Sequence, residues 1–168
     1  MNHVILIGFM GCGKSSVGKA LADAMGIPFV DTDGMIEEQA GRKINDIFRE
    51  DGEEYFRELE TSVLKQLLSA QERKVIAVGG GLPVREINRE YLKRLGTVVY
   101  LLAKVETLTG RLEGDNTRPM LRGGELKKRI ETLMDARGEL YGEAADVCVE
   151  TDDKDFEQIV KEIMAYVR

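Results

Sequence analysis

Gly8-Phe-Met-Gly-Cys-Gly-Lys-Ser15 matches the pattern G-x-x-x-x-G-K-[ST]. The stretch follows the apolar run Val4–Ile7, which is typical of a strand buried on both faces, and a helix is predicted after it from about Lys14 to Met25. Glycines let successive backbone N–H groups turn inward, and a helix presents its positive end at the same point. The sequence therefore predicts a phosphate-binding loop for a nucleoside triphosphate, with a glycine-rich turn beside a surface lysine as the alternative.

Two side chains of this loop are predicted to bind different parts of a metal-bound nucleotide. Lys14 can reach the β- and γ-phosphates as a mobile point charge, and the Ser15 hydroxyl can ligate Mg²⁺. The backbone of the loop and the start of the helix supply the remaining contacts. We expect the nucleotide to contact Gly11, Cys12, Gly13, Lys14, Ser15 and Ser16.

Strands and helices alternate through the rest of the chain. Further strands are predicted at residues 28–31, 75–78, 97–102 and 147–149. Helices are predicted at residues 34–41, 44–51 and 53–70, from the triple glycine to about 95, at both ends of 107–141, and at 156–167. This order favours a three-layer α/β fold with a parallel sheet between helices. In the closing helix we expect these residues to face inward: Phe156, Ile159, Val160, Ile163 and Val167.

Length and composition exclude several classes of protein. The chain has 168 residues, which fits one domain over 1–168, and it shows no repeat or linker. A net charge of −6 argues against binding to nucleic acid or to a membrane surface. The longest apolar runs are far shorter than the roughly 20 residues of a membrane helix, and Gly11 interrupts the first run too early for a signal peptide. We expect a cytoplasmic monomer.

Two carboxylates narrow the type of phosphate chemistry. Asp31-Thr-Asp-Gly34 contains the D-x-x-G pattern of GTPases, but it follows the loop too closely for a switch segment, and the chain has no N-K-x-D motif. Asp31 and Asp33 end a predicted strand, where α/β sheets place their sites. One carboxylate could hold Mg²⁺ while the other accepts hydrogen bonds from a substrate hydroxyl. The alternative makes Asp33 the N-cap of a helix that begins at Gly34.

Three further features indicate an anionic acceptor. Gly79-Gly-Gly81 ends the third strand, where its backbone lets another molecule approach closely or forms a flexible turn. Arg137 lies among apolar residues of its helix, so it needs a carboxylate or phosphate, which a ligand or a distant acidic side chain could supply. Arg57 has three glutamates at helical spacing, which suits either a ligand site or a solvated salt-bridge helix.

Residues 110–124 have the composition of a lid. Glycines near both ends provide hinges, and Pro119 stiffens the middle. Arg111, Arg118 and Arg122 are available to a nucleotide. A cationic lid that closes and excludes water suits a small-molecule kinase, because phosphoryl transfer depends on positioning and charge stabilisation. A mobile surface loop with incidental arginines is the alternative.

Together these features resemble the shikimate kinase family over essentially the whole chain. The shared features are residues 8–16, Asp31-Thr-Asp33, Phe56-Arg57 with Glu60, Gly79–Gly81, Arg118-Pro119 and the stretch from Arg137 to Tyr141. The resemblance implies a P-loop fold like that of nucleoside monophosphate kinases, with strand order 2-3-1-4-5 and a closing lid at about 110–124. It also implies Mg-ATP-dependent phosphorylation of the shikimate 3-hydroxyl, a step toward chorismate and aromatic amino acids.

On the acceptor side, the resemblance implies a substrate-binding region at about residues 32–61. Asp33 would bind substrate hydroxyls and is the candidate base. Arg57 and Arg137 would bind the carboxylate, and Gly79–Gly81 would line the pocket.

On the nucleotide side, the resemblance implies that Ser15 and Asp31 serve one Mg²⁺ ion. Lys14 and Arg118 would stabilise the phosphoryl group during transfer, and Arg111 would lie near the adenine. Two alternatives remain open, namely a gluconate kinase and a regulatory nucleotide-binding module without catalysis. An active enzyme is favoured because the chain has all five of Lys14, Ser15, Asp31, Asp33 and Arg118.

Overall fold

The computed structural model describes residues 2–113 and 125–167. Five parallel strands form one sheet in the order β2-β3-β1-β4-β5, which confirms the expected α/β fold and strand order. The strands are β1 (His3–Ile7), β2 (Phe29–Asp31), β3 (Val75–Ala77), β4 (Gly96–Leu102) and β5 (Val147–Glu150). The helices are α1 (Lys14–Met25), α2 (Thr32–Ala40), α3 (Ile44–Leu68), α4 (Glu86–Leu95), α5 (Val105–Leu112), α6 (Leu126–Ala144) and α7 (Phe156–Val167), and a 3-10 helix covers Leu82–Val84.

The central strand β1 positions the site. All five of its residues are buried, and it pairs with β3 on one side and β4 on the other. Strands β3 and β2 lie on one side of β1, and β4 and β5 lie on the other. The direction in which strands are added to the sheet therefore reverses at β1. Ligands of open α/β sheets bind at the carboxyl ends of strands beside such a reversal. The glycine-rich loop begins there, directly after Ile7.

Helix α3 has the break that its sequence predicts. Gly52 has φ 88° and ψ 171°, a conformation that only glycine adopts readily, and it separates two helical halves. Hydrogen bonds between buried polar groups connect the second half of α3 to the elements that follow it. Thr61 Oγ1 donates to Asn88 Oδ1 at 2.8 Å, and Asn88 Nδ2 donates to the Leu82 carbonyl at 2.9 Å. This network fixes the 3-10 helix that follows the triple glycine.

The closing helix α7 differs from the expectation at its first residue. Ile159, Val160, Ile163 and Val167 are buried, but Phe156 is 53% exposed. Although the helical period places it on the same face as Ile159, α7 begins beside the carboxyl ends of the strands, so its first turn extends past the core. Among residues 2–113 and 125–167, no helix combines the length and apolar character needed to cross a membrane.

Candidate active site

The glycine-rich loop has the backbone geometry of an anion site. Gly11 and Gly13 have φ values of 82° and 95°, which side chains with a Cβ rarely adopt. Helix α1 begins directly after Gly13 with no side-chain cap and no acidic residue in its first turn. Its N-terminal N–H groups therefore remain available to an anion. The Cys12 side chain is buried, and its backbone N–H donates to the Phe9 carbonyl at 3.1 Å.

Two cations lie against this loop. Lys14 Nζ donates to the carbonyl oxygens of Gly8 at 2.6 Å and Phe9 at 3.2 Å. Arg111, near the end of α5, donates from Nη1 to the Gly11 carbonyl at 2.9 Å. Because a lysine side chain is flexible and its ammonium group is a compact charge, it can leave these carbonyls for a phosphate. Both cations are thus within reach of any anion held by the loop.

Ser15 and the aspartates after β2 form one hydrogen-bonded group. Ser15 Oγ donates to Asp31 Oδ2 at 2.9 Å, and the Asp33 N–H donates to Asp31 Oδ1 at 2.9 Å. Asp31 is therefore the N-cap of α2, which begins at Thr32. The alternative that made Asp33 the N-cap is wrong, because Asp31 already accepts the N–H bond that defines the cap. Asp33 lies in the first turn, with its side chain turned to the glycines.

The three glycines of the triple sequence face four charged side chains. A Cβ on Gly79 would lie 2.7 Å from Asp33 Oδ1 and 3.0 Å from Glu60 Oε2. A Cβ on Gly81 would lie 2.5 Å from both terminal nitrogens of Arg57, and one on Gly80 would lie 3.5 Å from Arg137 Nη1. None of the three glycines has a positive φ. These positions therefore favour glycine because a side chain would collide with its neighbours, and not because of the backbone conformation.

Arg57 and Glu60 form a largely buried ion pair within α3. Arg57 Nη1 lies 2.7 Å from Glu60 Oε1, and Arg57 Nη2 lies 3.2 Å from Glu53 Oε2 on the exposed side. Burial alone would lower the pKa of Arg57, but the two glutamates raise it above its ordinary value. Burial raises the pKa of Glu60 to about 7, although Arg57 opposes this. The expectation of a solvated salt-bridge helix is wrong for Glu60, which is fully buried.

Arg137 is 4% exposed, and the ion pairs found among the described residues do not include it. Its Nη1 has no hydrogen-bond partner in the part of the chain that the structure describes. Tyr141, one turn further along α6, donates its hydroxyl to the Gly80 carbonyl, and the nearby Arg137 guanidinium partly offsets the effect of burial on the pKa of that hydroxyl. Burial raises the pKa of Tyr141 to about 12, so the hydroxyl stays protonated. The buried Arg137 guanidinium thus has a donor available for a ligand.

A cavity of about 930 Å³ extends from the phosphate loop to the two aspartates and the first two glycines. Its lining includes residues of the loop, the two aspartates and the first two glycines: Gly11, Cys12, Gly13, Lys14, Ser15, Ser16, Asp31, Asp33, Gly79 and Gly80. Arg57 and Arg137 do not line it and lie next to the glycines at its edge. At the other end the lining comprises Arg111 with Thr151, Lys154, Phe156 and Ile159. The arrangement suits two ligands, one on the loop and a smaller one at the glycines.

Sequence reasoning missed three residues of this site. Glu60 and Tyr141 belong to stretches that carry the family resemblance, but the sequence assigned neither of them a role in the site. Phe156 was expected in the core. A signal existed for Glu60, since it lies one turn after Arg57 on the face that carries Phe56 and Val63. Arg118, Pro119 and Arg122 lie outside the described residues.

One structural relative shares the fold but little sequence. A gluconokinase from Sinorhizobium meliloti 1021 superposes with a TM-score of 0.62 at 20% identity, covering 98% of this chain and 90% of that chain. Such low identity establishes a common fold alone.

Other comparisons reach the level of a family. The shikimate kinase family profile matches residues 10–168. A shikimate kinase of Persephonella marina is 42% identical over 168 residues, which is 100% of both chains. The solved shikimate kinase from Acinetobacter baumannii in complex with shikimate superposes with a TM-score of 0.93 at 37% identity, covering 98% of this chain and 91% of that chain. The chain therefore belongs to the shikimate kinase family.

Proposed function

We propose that this protein transfers the γ-phosphoryl group of ATP to the 3-hydroxyl of shikimate, giving shikimate 3-phosphate and ADP for chorismate and aromatic amino acid biosynthesis. The observation that carries this function is the set of charges around the triple glycine. Two guanidinium groups suit a carboxylate, and the Asp33 carboxylate suits hydroxyl groups. Asp33, Gly79 and Gly80 line the same cavity as the phosphate loop, so donor and acceptor meet there.

In this proposal the nucleotide occupies the loop end of the cavity. Backbone N–H groups of Gly11 to Ser16 hold the phosphates, with the positive end of α1 beneath them. Arg111 and Phe156 lie at the far end, where a guanidinium and an aromatic ring both suit the faces of a purine. The exposed fraction of Phe156 fits this role, because a ring that stacks on a ligand must face solvent in its absence.

The residues present also fit one Mg²⁺ ion. Ser15 Oγ and Asp31 Oδ2, which lie 2.9 Å apart, are oxygen donors of the kind that this hard cation prefers. The described residues contain no cluster of three or more acidic, histidine or cysteine side chains that could hold a metal alone. Magnesium commonly keeps several waters and binds one or two protein groups with substrate phosphates. When bound, it would neutralise charge on the β- and γ-phosphates.

The acceptor lies between the glycines and the aspartate in this proposal. Arg57 and Arg137 hold its carboxylate, and the open Nη1 of Arg137 supplies a donor. Asp33 orients the reacting hydroxyl. As the hydroxyl oxygen bonds to the γ-phosphorus, the bond to the β–γ bridging oxygen breaks, ADP leaves, and the hydroxyl proton passes to the Asp33 carboxylate.

Charge stabilisation during transfer is assigned to Lys14 and Arg118. Lys14 leaves the Gly8 and Phe9 carbonyls to follow the γ-phosphoryl group. Arg118 belongs to the proposed lid at about 110–124, which would close over the acceptor region at about 32–61.

We also propose that residues 1–168 act as one domain in a cytoplasmic monomer that binds neither nucleic acid nor membrane, in keeping with its net charge of −6.

A coupled ADP-release assay tests the function. The purified protein is given Mg-ATP with shikimate, with gluconate or with no acceptor. We expect turnover with shikimate alone, and Lys14→Met serves as the inactive reference. Turnover with gluconate and not with shikimate would contradict the assignment. ATP binding without turnover on any acceptor would favour a regulatory module.

A further inference from the structure

Four ionisable side chains of opposite sign meet around the triple glycine. Glu60 and Asp33 approach Gly79, while Arg137 and Arg57 approach the next two glycines. With both carboxylates ionised, these four side chains carry no net charge. Glu60 and Arg137 are excluded from solvent, with 0% and 4% exposed, while Asp33 and Arg57 are partly buried.

A substrate that carries a carboxylate changes this balance. In the proposed function its carboxylate binds to both arginines and brings one additional negative charge next to the buried Glu60, into a group that is otherwise neutral. An uncompensated charge is costly in such an environment, and a nearby ionisable group can remove it by taking up a proton. The question is which side chain accepts that proton.

Glu60 has the required contacts. Its Oε1 accepts a hydrogen bond from Arg57 Nη1 at 2.7 Å, and its Oε2 has no hydrogen-bond partner among the described residues. The charged groups that face it are Arg57 from its own helix, with Glu53 beyond, Asp33 from α2 and Arg137 from α6.

These neighbours place Glu60 close to its protonation point before substrate binds. Burial raises its pKa to about 7, the two arginines oppose the rise, and Asp33 adds to it. A bound carboxylate occupies the same arginines and offsets the positive charge that keeps Glu60 ionised. The pKa of Glu60 must therefore rise further in the complex.

We infer that binding of the acceptor carboxylate is coupled to the uptake of one proton from solvent, which is held on the Glu60 carboxyl. Glu60 is thus a positioning residue, and its protonation leaves Arg57 and Arg137 free to hold the substrate. This inference rests on the proposed function. It requires the affinity for shikimate to fall as the pH rises above neutrality, by up to about tenfold per pH unit.

Calorimetry tests the coupling directly. Shikimate is titrated into the protein at pH 8 in two buffers that differ in ionisation enthalpy, which gives the number of protons taken up. We expect about 0.5 to 1 proton per shikimate in the unaltered protein. Glu60→Gln, which imitates a protonated glutamate in shape, should take up about none and should bind shikimate equally well at pH 7 and pH 9.

The matched control is Glu58→Gln, on the same helix. Glu58 is exposed and pairs with Arg85 at 3.2 Å, away from the glycines, so this variant should keep both the proton uptake and its pH dependence. A purely structural role for Glu60 would weaken binding in Glu60→Gln but leave the proton uptake unchanged. Unchanged uptake in that variant, or no uptake in the unaltered protein, would overturn the inference.

A neutral ligand keeps the inference testable if Glu60→Gln does not fold. Methyl shikimate has the same hydroxyl groups but no negative charge, so its binding to the unaltered protein should take up no proton. Equal uptake with the ester and with the acid would overturn the inference. If shikimate binds without proton uptake, the role inferred for Glu60 is wrong but the proposed function stands. If shikimate does not bind at any pH, the proposed function itself is wrong.

Discussion

At the scale of the residue, the absent side chains of the triple glycine matter as much as the charged ones around them. A methyl group on Gly79 would lie 2.7 Å from Asp33 Oδ1 and 3.0 Å from Glu60 Oε2, so both carboxylates must move. A displacement of about 1 Å near reacting groups can slow a reaction about 100-fold. We expect Gly79→Ala to lower kcat/KM for shikimate by that order, with ATP affinity within about twofold. Steady-state kinetics and nucleotide titration measure the two effects.

Gly142→Ala is the control for this substitution. A Cβ on Gly142 meets nothing within 4 Å on the exposed side of α6. Alanine also favours a helix interior over glycine by about 0.5–1 kcal/mol, so this variant should be slightly more stable and fully active. If Gly79→Ala kept normal kinetics, the close approach of Asp33 to the glycines would have no catalytic importance.

A second residue connects the acceptor site to the rest of the molecule. The Tyr141 hydroxyl donates to the Gly80 carbonyl and lies near the Arg137 guanidinium. Tyr141→Phe removes the bond to Gly80 but keeps the ring packing against Tyr100, whose ring centroid is 5.3 Å away. A buried hydrogen-bond group left without its partner costs about 1–3 kcal/mol, so KM for shikimate should rise at least about fivefold.

The KM for ATP separates this role from general damage. It should stay unchanged in Tyr141→Phe, because the Tyr141 hydroxyl donates to the Gly80 carbonyl and not to a group of the phosphate loop. Tyr166→Phe, at a 63% exposed position, should behave as the unaltered protein does. An equal loss for both substrates would show that Tyr141 acts on the fold and not on Arg137.

At the scale of the element, one aspartate couples two segments at the nucleotide end of the cavity. Asp152 follows β5, and its carboxylate accepts from the Lys104 N–H at 2.8 Å and from Thr107 Oγ1 at 2.6 Å. The Thr107 bond, with the Lys104 N–H, lowers the pKa of Asp152. Helix α5 has no capping bond from its own N-cap side chain, so Asp152 supplies the cap from another part of the chain.

We expect Asp152→Ala to destabilise the fold by about 1 kcal/mol, the usual effect of losing a helix cap. It should also weaken ATP binding several-fold, because α5 carries Arg111 to the Gly11 carbonyl. Urea unfolding and nucleotide titration give the two values. Glu106→Ala, an exposed change in the same turn, should leave ATP binding intact. Normal ATP affinity in Asp152→Ala would mean that α5 does not depend on this cap.

The same elements show what the sequence could predict. The strand–glycine–helix order at Gly8 to Ser15 predicts the fold because local geometry there is set by adjacent residues. The break at Gly52 and the strand order expected from the family resemblance agree with the structure. The roles of Glu60 and Asp152 could not be predicted, because their partners lie on other segments or depend on burial. Phe156 was misplaced because periodicity does not reveal where a core ends.

At the scale of the whole molecule, two buried groups make stability depend on pH in opposite directions. Burial and the positive charge of Lys74 lower the pKa of His3, whose Nδ1 accepts from the Lys74 N–H at 3.1 Å. The unfolded chain binds this proton more readily, so stability falls as the pH drops below about 6.5. The contribution of Glu60 to the pH dependence of stability has the opposite sign. Its pKa is raised from 4.5 to about 7 in the folded protein, so stability falls as the pH rises through this window.

Separate substitutions should expose the two contributions between pH 5 and pH 7. His3→Asn keeps an acceptor for the Lys74 N–H but cannot be protonated, so Glu60 remains and the urea midpoint should fall as the pH rises. Glu60→Gln leaves His3, so its midpoint should rise with pH over the same range. The double variant should vary least, and the unaltered protein should lie between the single variants. Equal slopes in the two single variants would contradict the opposite signs that their burial and neighbouring charges require.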